Sequence, residues 1–254
     1  MTTLLIDIGN TRLKLATLHA DAPVFIGALA VDPLSACESE LRRHLEALPV
    51  PASSVWAVTV ASSQVNDLVQ TLLAPCSLNW VHSASSTSGV RNTYPDPAQL
   101  GPDRWTGIIG LKRHFPTITK PIVLASFGTA TTVDTLSPDA QFMGGLILPG
   151  VSMMHESLNR GTARLPNERG ELAAFPTSTR AAITSGVLAA QAGAVRRQVE
   201  HAHQRFGVAP MLCVTGGAWK LVEPELMQAL PDIALHELPN VVLDGLAVMA
   251  QAHP

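Results

Sequence analysis

The chain opens on an apolar run, Leu4–Ile8, that stops at Gly9-Asn10-Thr11, and alternation resumes over Arg12–Leu18 and Val24–Leu29. Short apolar stretches separated by glycine and small polar residues predict three successive strands joined by tight turns. Pro33–Leu48 changes period: Leu34, Leu41, Leu45 and Leu48 share a helical face, and Pro49 and Pro51 end the element. Val55–Val60 then reads as a strand and Val65–Leu73 as a short amphipathic helix. After a stretch over 82–102 rich in Ser, Asn, Pro and Gly, a helix is expected from Asp103 to His114. The three-strand pattern now returns over Ile122–Ser126, Thr131–Leu136 and Phe142–Leu148. Thr179–Phe206 predicts the longest helix, Met211–Thr215 a buried strand, and Val241–Ala252 a closing helix.

Three strands, helix, strand, helix, and then the same theme again predict an α/β protein of two related halves. A boundary near residue 118 divides them: 1–118, to which the closing helix (240–254) returns, and 119–239. The stretch over 82–102 is expected to be functional, because compact domains rarely leave about 20 residues structureless.

Composition narrows the classes. Apolar residues make up 46% and charged ones 15%, enough for a real core in each half and without a disordered signature. No apolar run approaches the roughly 18–20 residues that cross a bilayer. Met1 is followed at once by strand-like core sequence, so no signal peptide is expected. Cys37, Cys76 and Cys213 are scattered, odd in number and without metal-ligand spacing, which fits reduced thiols in a cytoplasmic protein. The net charge of −3, with no run of Lys or Arg longer than pairs such as Arg196-Arg197, argues against a nucleic-acid partner. Neither HExxH nor GxSxG occurs, and His155, beside Glu156 on an expected helix, reads as structural.

Two turns carry the chemistry. Asp7-Ile8-Gly9-Asn10-Thr11 ends an apolar strand with a lone carboxylate, costly to bury unless a cation or strong donors meet it. Gly9 permits a tight turn, and Asn10 and Thr11 can donate to phosphate oxygens. Lys14, between Leu13 and Leu15, can reach the same place across a hairpin; the alternative is an ordinary exposed Asp–Lys pair. Ser126-Phe127-Gly128-Thr129-Ala130-Thr131-Thr132 repeats the design in the second half, with Asp134 supporting the hairpin or serving the chemistry. Together they suggest two halves that grip a nucleotide, although no Walker A or Rossmann glycine pattern is present. Gly144-Gly145, Pro149-Gly150 and Gly216-Gly217 add glycine turns after strands, which fits a backbone pressed close to a ligand.

These segments resemble the type III pantothenate kinases, also called Bvg-accessory-factor-like proteins, of the actin, sugar-kinase and Hsp70 superfamily. The residues that match are Asp7-Ile8-Gly9-Asn10-Thr11, Asn92-x-Tyr94-x-x-Pro97, Gly101-Pro102-Asp103-Arg104-Trp105 and Gly128-Thr129-Ala130-Thr131-Thr132-Val133-Asp134. Gly144-Gly145-Leu146-Ile147-Leu148-Pro149-Gly150, Thr179-x-x-Ala182-Ile183-x-x-Gly186 and Thr215-Gly216-Gly217 follow in family order. The resemblance implies two ribonuclease H-like domains with mixed five-stranded sheets flanked by helices, the actin-like ATPase fold. It implies ATP-dependent phosphorylation of the primary hydroxyl of pantothenate, the first step of coenzyme A biosynthesis.

By the same resemblance Asp103 is the general base, and Tyr94, Gly101, Pro102 and Arg104 join it around pantothenate. From the residues alone, Asp103 could equally cap a helix. Asp7, Ile8, Gly9, Asn10, Thr11, Arg12, Lys14, Gly128, Thr129, Ala130 and Thr131 would hold the ATP phosphates, with Mg²⁺ near Asp7. Thr179 would close the pocket of a neighbouring subunit, implying a homodimer. Two departures stand out. Ser126 occupies a position where the family commonly has an aspartate linked to K⁺ or NH₄⁺, so a hydroxyl replaces the charge. Ala218-Trp219 replaces the usual aspartate after Gly216-Gly217, and Trp219 could pack on the base. A noncatalytic nucleotide-binding regulatory protein is the alternative function.

Overall fold

The computed structural model describes residues 2–161 and 168–252. They form two compact units, Met1–Thr117 with Asn240–Pro254, and Ile118–Pro239.

In the first unit β1 (Thr2–Ile8), β2 (Arg12–His19) and β3 (Ala22–Ala30) make an antiparallel meander. β4 (Ala52–Thr59) and β5 (Ser77–Trp80) add in parallel, giving the order β3-β2-β1-β4-β5. Parallel neighbours require crossovers. Helices α1 (Leu34–Glu46) and α2 (Ser63–Leu73) supply them, burying Cys37, Leu41, Val65, Val69 and Leu73. Leu4, Leu5, Ile6 and Ile8 of β1 are all fully buried, as expected of a central strand covered on both faces.

The stretch 82–102 is more ordered than its composition suggests. A small hairpin pairs β6 (Ser86–Thr87) with β7 (Val90–Asn92), and a 3-10 turn over Pro97–Gln99 is capped by Asp96. Ser83 ties its start to Leu100 through Oγ–H···O=C at 2.8 Å. Helix α3 (Pro102–His114) follows, with Gly101 at its N-cap and Pro102 in its first turn.

The second unit repeats the plan. β8 (Ile122–Phe127), β9 (Ala130–Leu136) and β10 (Gln141–Pro149) form the meander, and β11 (Met211–Thr215) and β12 (Leu235–Glu237) add in parallel. Their order is β12-β11-β8-β9-β10. Helices α4 (Val151–Gly161) and α5 (Thr179–Phe206) fill the first crossover and α6 (Trp219–Ala229) the second. Ser178 accepts from the Ala181 N–H at the start of α5, and Gly207 ends it at φ 71°. The closing helix α7 (Val241–Gln251) belongs to the first unit and packs along α3.

The elements that the pattern did not announce have physical excuses. β5 and β12 are four and three residues long. Pro224 interrupts the helical signature of α6. No helix among the described residues is long and apolar enough to cross a membrane.

Candidate active site

The turn from β1 to β2 closes through the Gly9 N–H, which donates to the Arg12 carbonyl at 2.9 Å. That leaves Asn10, Thr11 and Arg12 exposed at the tip, while Ile8 is wholly in the core. Asp7 and Lys14 are direct cross-strand partners. Burial pushes the Asp7 carboxyl up to about 6; Lys14 opposes the shift and Asp103 reinforces it. The carboxylates of Asp7 and Asp103 therefore sense one another within the first unit.

Asp103 lies in the first turn of α3, where the helix dipole and free N–H groups favour a negative charge. Burial still raises its pKa, against a backbone hydrogen bond from Arg104, the Arg104 charge and its own backbone N–H. Gly101 makes room for it: a Cβ there would stand 2.8 Å from Asp103 Oδ1. Arg104 is 8% exposed, and its Nη1 lies 3.5 Å from the Tyr94 hydroxyl. Tyr94, Gly101, Pro102, Asp103 and Arg104 thus gather at one helix start, with the long stretch delivering the phenol. Sequence reading alone gives Asn92 no role, yet its Oδ1 accepts from the Tyr94 N–H at 3.0 Å.

In the second unit the Gly128 N–H donates to the Ala130 carbonyl at 3.1 Å, and Gly128, Thr129 and Ala130 are exposed. Thr131 is different: it is fully buried, and its Oγ1 is covered by protein. Two of the other glycines serve backbone rather than ligand. A Cβ on Gly150 would collide with the Gly128 and Thr129 carbonyls, and one on Gly216 (φ 101°) with the Phe127 backbone. Asp134 is 1% exposed on β9 alongside Gly145, a buried place that favours support of the hairpin. Trp219 does not offer its face to a base: it is 1% exposed and stacks on Phe127 at 5.8 Å and 25°. Its indole N–H donates to Glu237 at 3.3 Å.

Asp7 and Asp103 are few ligands for a metal, and no group of three or more His, Cys, Asp or Glu side chains suited to one occurs among the described residues. That donor set fits Mg²⁺, which keeps water and phosphate oxygens as most of its ligands. Ser126 is half-buried and registered with Thr132 on β9 and Thr215 on β11. It offers a monovalent cation neutral oxygen and no carboxylate.

A meander followed by two parallel strands with crossover helices, present twice, defines the fold class. Solved structures agree. The activator of 2-hydroxyisocaproyl-CoA dehydratase from Clostridium difficile, with bound ADPNP, matches at TM-score 0.52 and 13% identity, covering 99% of this chain and 94% of the other. A glucokinase from an Antarctic psychrotroph matches at TM-score 0.53 and 10% identity, covering 98% and 99%. The protein has the actin-like ATPase and sugar-kinase fold.

The family follows from sequence. A model described as type III pantothenate kinase matches residues 3–201. The type III pantothenate kinases of Bordetella bronchiseptica and Methylibium petroleiphilum are 41% and 39% identical to this chain. The first alignment covers 97% of both chains and the second 98% of both. The chain belongs to the type III pantothenate kinase family, and it is a kinase.

Proposed function

We propose that the protein transfers the γ-phosphoryl group of ATP to the primary hydroxyl of pantothenate, giving 4′-phosphopantothenate and ADP. The observation that carries the mechanism is the Asp103 carboxylate at the start of α3, beside buried Arg104 and Tyr94 and in electrostatic contact with Asp7. The hydroxyl oxygen attacks phosphorus, its proton passes to the Asp103 carboxylate, and ADP leaves. Phosphoryl transfer has a loose transition state, so Asp103 contributes mainly by aligning the alcohol. Burial raises its pKa above the ordinary carboxylate value, which makes it a better proton acceptor.

Arg104 supplies a buried guanidinium for the substrate carboxylate, and Tyr94 a phenol for its amide or hydroxyl. Asn10, Thr11 and Lys14 in the first unit and the exposed Gly128-Thr129-Ala130 turn in the second are each offered to phosphate oxygens, the Gly128 N–H itself being held by the Ala130 carbonyl. Mg²⁺ at the phosphates would neutralise charge as it develops on them. Asp7 would orient that ion, and this gives a buried carboxylate its reason. No step is assigned to a monovalent cation at Ser126.

A homodimer is part of the proposal. Met154, Leu158, Thr179, Ile183, Gly186 and Val187 line an open, mainly apolar groove of about 550 Å³ along α4 and α5. Met153 and Phe175 stand exposed on the same unit, Phe175 at 92%. A second copy seated there would cover this surface and bring Thr179 to its neighbour's pocket.

The test is ADP release by purified protein with pantothenate and with a panel of sugars, each with and without K⁺. Pantothenate-dependent release is expected, and Asp103→Asn should fold normally while losing about 100-fold or more of kcat. Wild-type turnover in that variant would remove Asp103 as the base. Silence with every acceptor would instead favour the regulatory alternative.

A further inference from the structure

Asn92 ends β7 and makes two backbone ties. Its N–H donates to the Ser85 carbonyl at 2.9 Å, and its side-chain Oδ1 accepts from the Tyr94 N–H at 3.0 Å. The second bond is an Asx turn, which folds the chain back two residues on from an Asn or Asp. The amide cannot be reversed, because that would set its NH₂ against the Tyr94 N–H. With Oδ1 committed, Nδ2 is left buried and has no partner among the described residues. A buried donor without a partner is a stability cost that an apolar or hydroxyl side chain would avoid. The rest of the stretch does not need Asn92 to stay folded: Ser83 holds Leu100, and Asp96 caps Ala98 at 3.0 Å. What the Asn92 side chain ties down is the backbone of Tyr94, whose hydroxyl lies 3.5 Å from the Arg104 guanidinium.

We infer that Asn92 is a positioning residue for the acceptor substrate: it holds Tyr94 at the angle that sets the phenol beside Arg104, and it acts only through Tyr94. This rests on the reading of Tyr94 and Arg104 as substrate contacts. Asn92 touches no reacting atom, so its loss should weaken acceptor binding and leave the phosphoryl-transfer step and ATP binding alone. Serine at the same place keeps a hydroxyl able to accept from the N–H two residues on and removes the orphan donor.

The experiment is steady-state kinetics of Asn92→Ala, Asn92→Ser, Tyr94→Phe and the Asn92→Ala/Tyr94→Phe double variant, with thermal unfolding of each. For Asn92→Ala, KM for pantothenate should rise about tenfold, the scale of one lost hydrogen bond, while kcat and KM for ATP stay within about twofold. Its Tm should not fall, Asn92→Ser should recover most of the loss, and the double variant should be no worse than Tyr94→Phe. A wild-type KM in Asn92→Ala overturns the inference, as does a fall in kcat together with Tm, an Asn92→Ser variant as impaired as Asn92→Ala, or fully additive losses. If the wild-type protein turns over pantothenate but Tyr94→Phe leaves KM unchanged, the assignment of Tyr94 fails and takes the inference with it. Absence of any pantothenate-dependent ADP release would overturn the parent reading itself.

Discussion

A carboxylate buried at the end of a core strand costs stability whenever it is ionised, and Asp7 is such a group. Its folded pKa of about 6 stands above the ordinary 3.8, so the unliganded protein is favoured by acid at this site. That contribution is complete below about pH 4 and lost as pH rises through about 6. Asp7→Asn, in the absence of nucleotide, should therefore raise the Tm by a few degrees near pH 8 and by about nothing near pH 4. Thermal unfolding across that range checks it, and a pH-independent difference would show that Asp7 is not perturbed. On the proposed role of Asp7 the sign reverses for function, because holding Mg²⁺ would need the ionised form. Asp7 was legible in the sequence because a lone Asp inside Leu4–Ile8 breaks the apolar pattern. Trp219 was not, since an indole after a glycine turn reads the same whether it faces a base or Phe127.

Packing of α3 against α7 depends on two glycines that the sequence did not mark. A Cβ on Gly110 would collide with the Val241 carbonyl, and one on Gly245 with the Thr106 carbonyl. The helices also share Asp244, which meets His114 Nε2 at 2.8 Å and Arg113 Nε at 3.5 Å. Gly245→Ala should destabilise the protein by about 2–3 kcal/mol, because backbone cannot yield as a flexible side chain can. Gly193→Ala is the control: its Cβ would meet nothing, and helix propensity alone should stabilise by roughly 0.5–1 kcal/mol. Denaturant unfolding of both variants separates the effects. A Gly245→Ala protein as stable as wild type would mean that the two helices do not meet as closely as described. The helical period of 241–252 announced a helix there; nothing local told which helix would lie against it.

In the second unit apolar side chains stand exposed, Met153 and Leu158 on α4 and Leu172 and Phe175 ahead of α5, and an open apolar groove runs along α4 and α5. A second copy is the proposed cover. Gly186 lines the groove, is exposed and has open space at its Cβ, so Gly186→Arg should fold and yet block association. Sedimentation should give wild type at twice the 26.9 kDa chain mass and the variant at one. Turnover should fall with dimer content, since Thr179 would then be withheld from the neighbouring pocket. A wild-type protein that sediments as one chain at micromolar concentration would sink this proposal.

Period and punctuation in the chain settled most strands and helices, because local sterics and the burial of one face act over a few residues. They also marked Asp7 and Gly9, where residue types conflict with their local pattern, whereas the Gly101–Arg104 segment stood out only through its resemblance to a family. Tertiary packing decided the rest. It put Trp219 on Phe127, pressed Gly150 and Gly216 against backbone, and left the Asn92 amide holding Tyr94. Those outcomes depend on which distant surface arrives at a residue, and contacts between segments far apart in the chain leave no periodic trace along it.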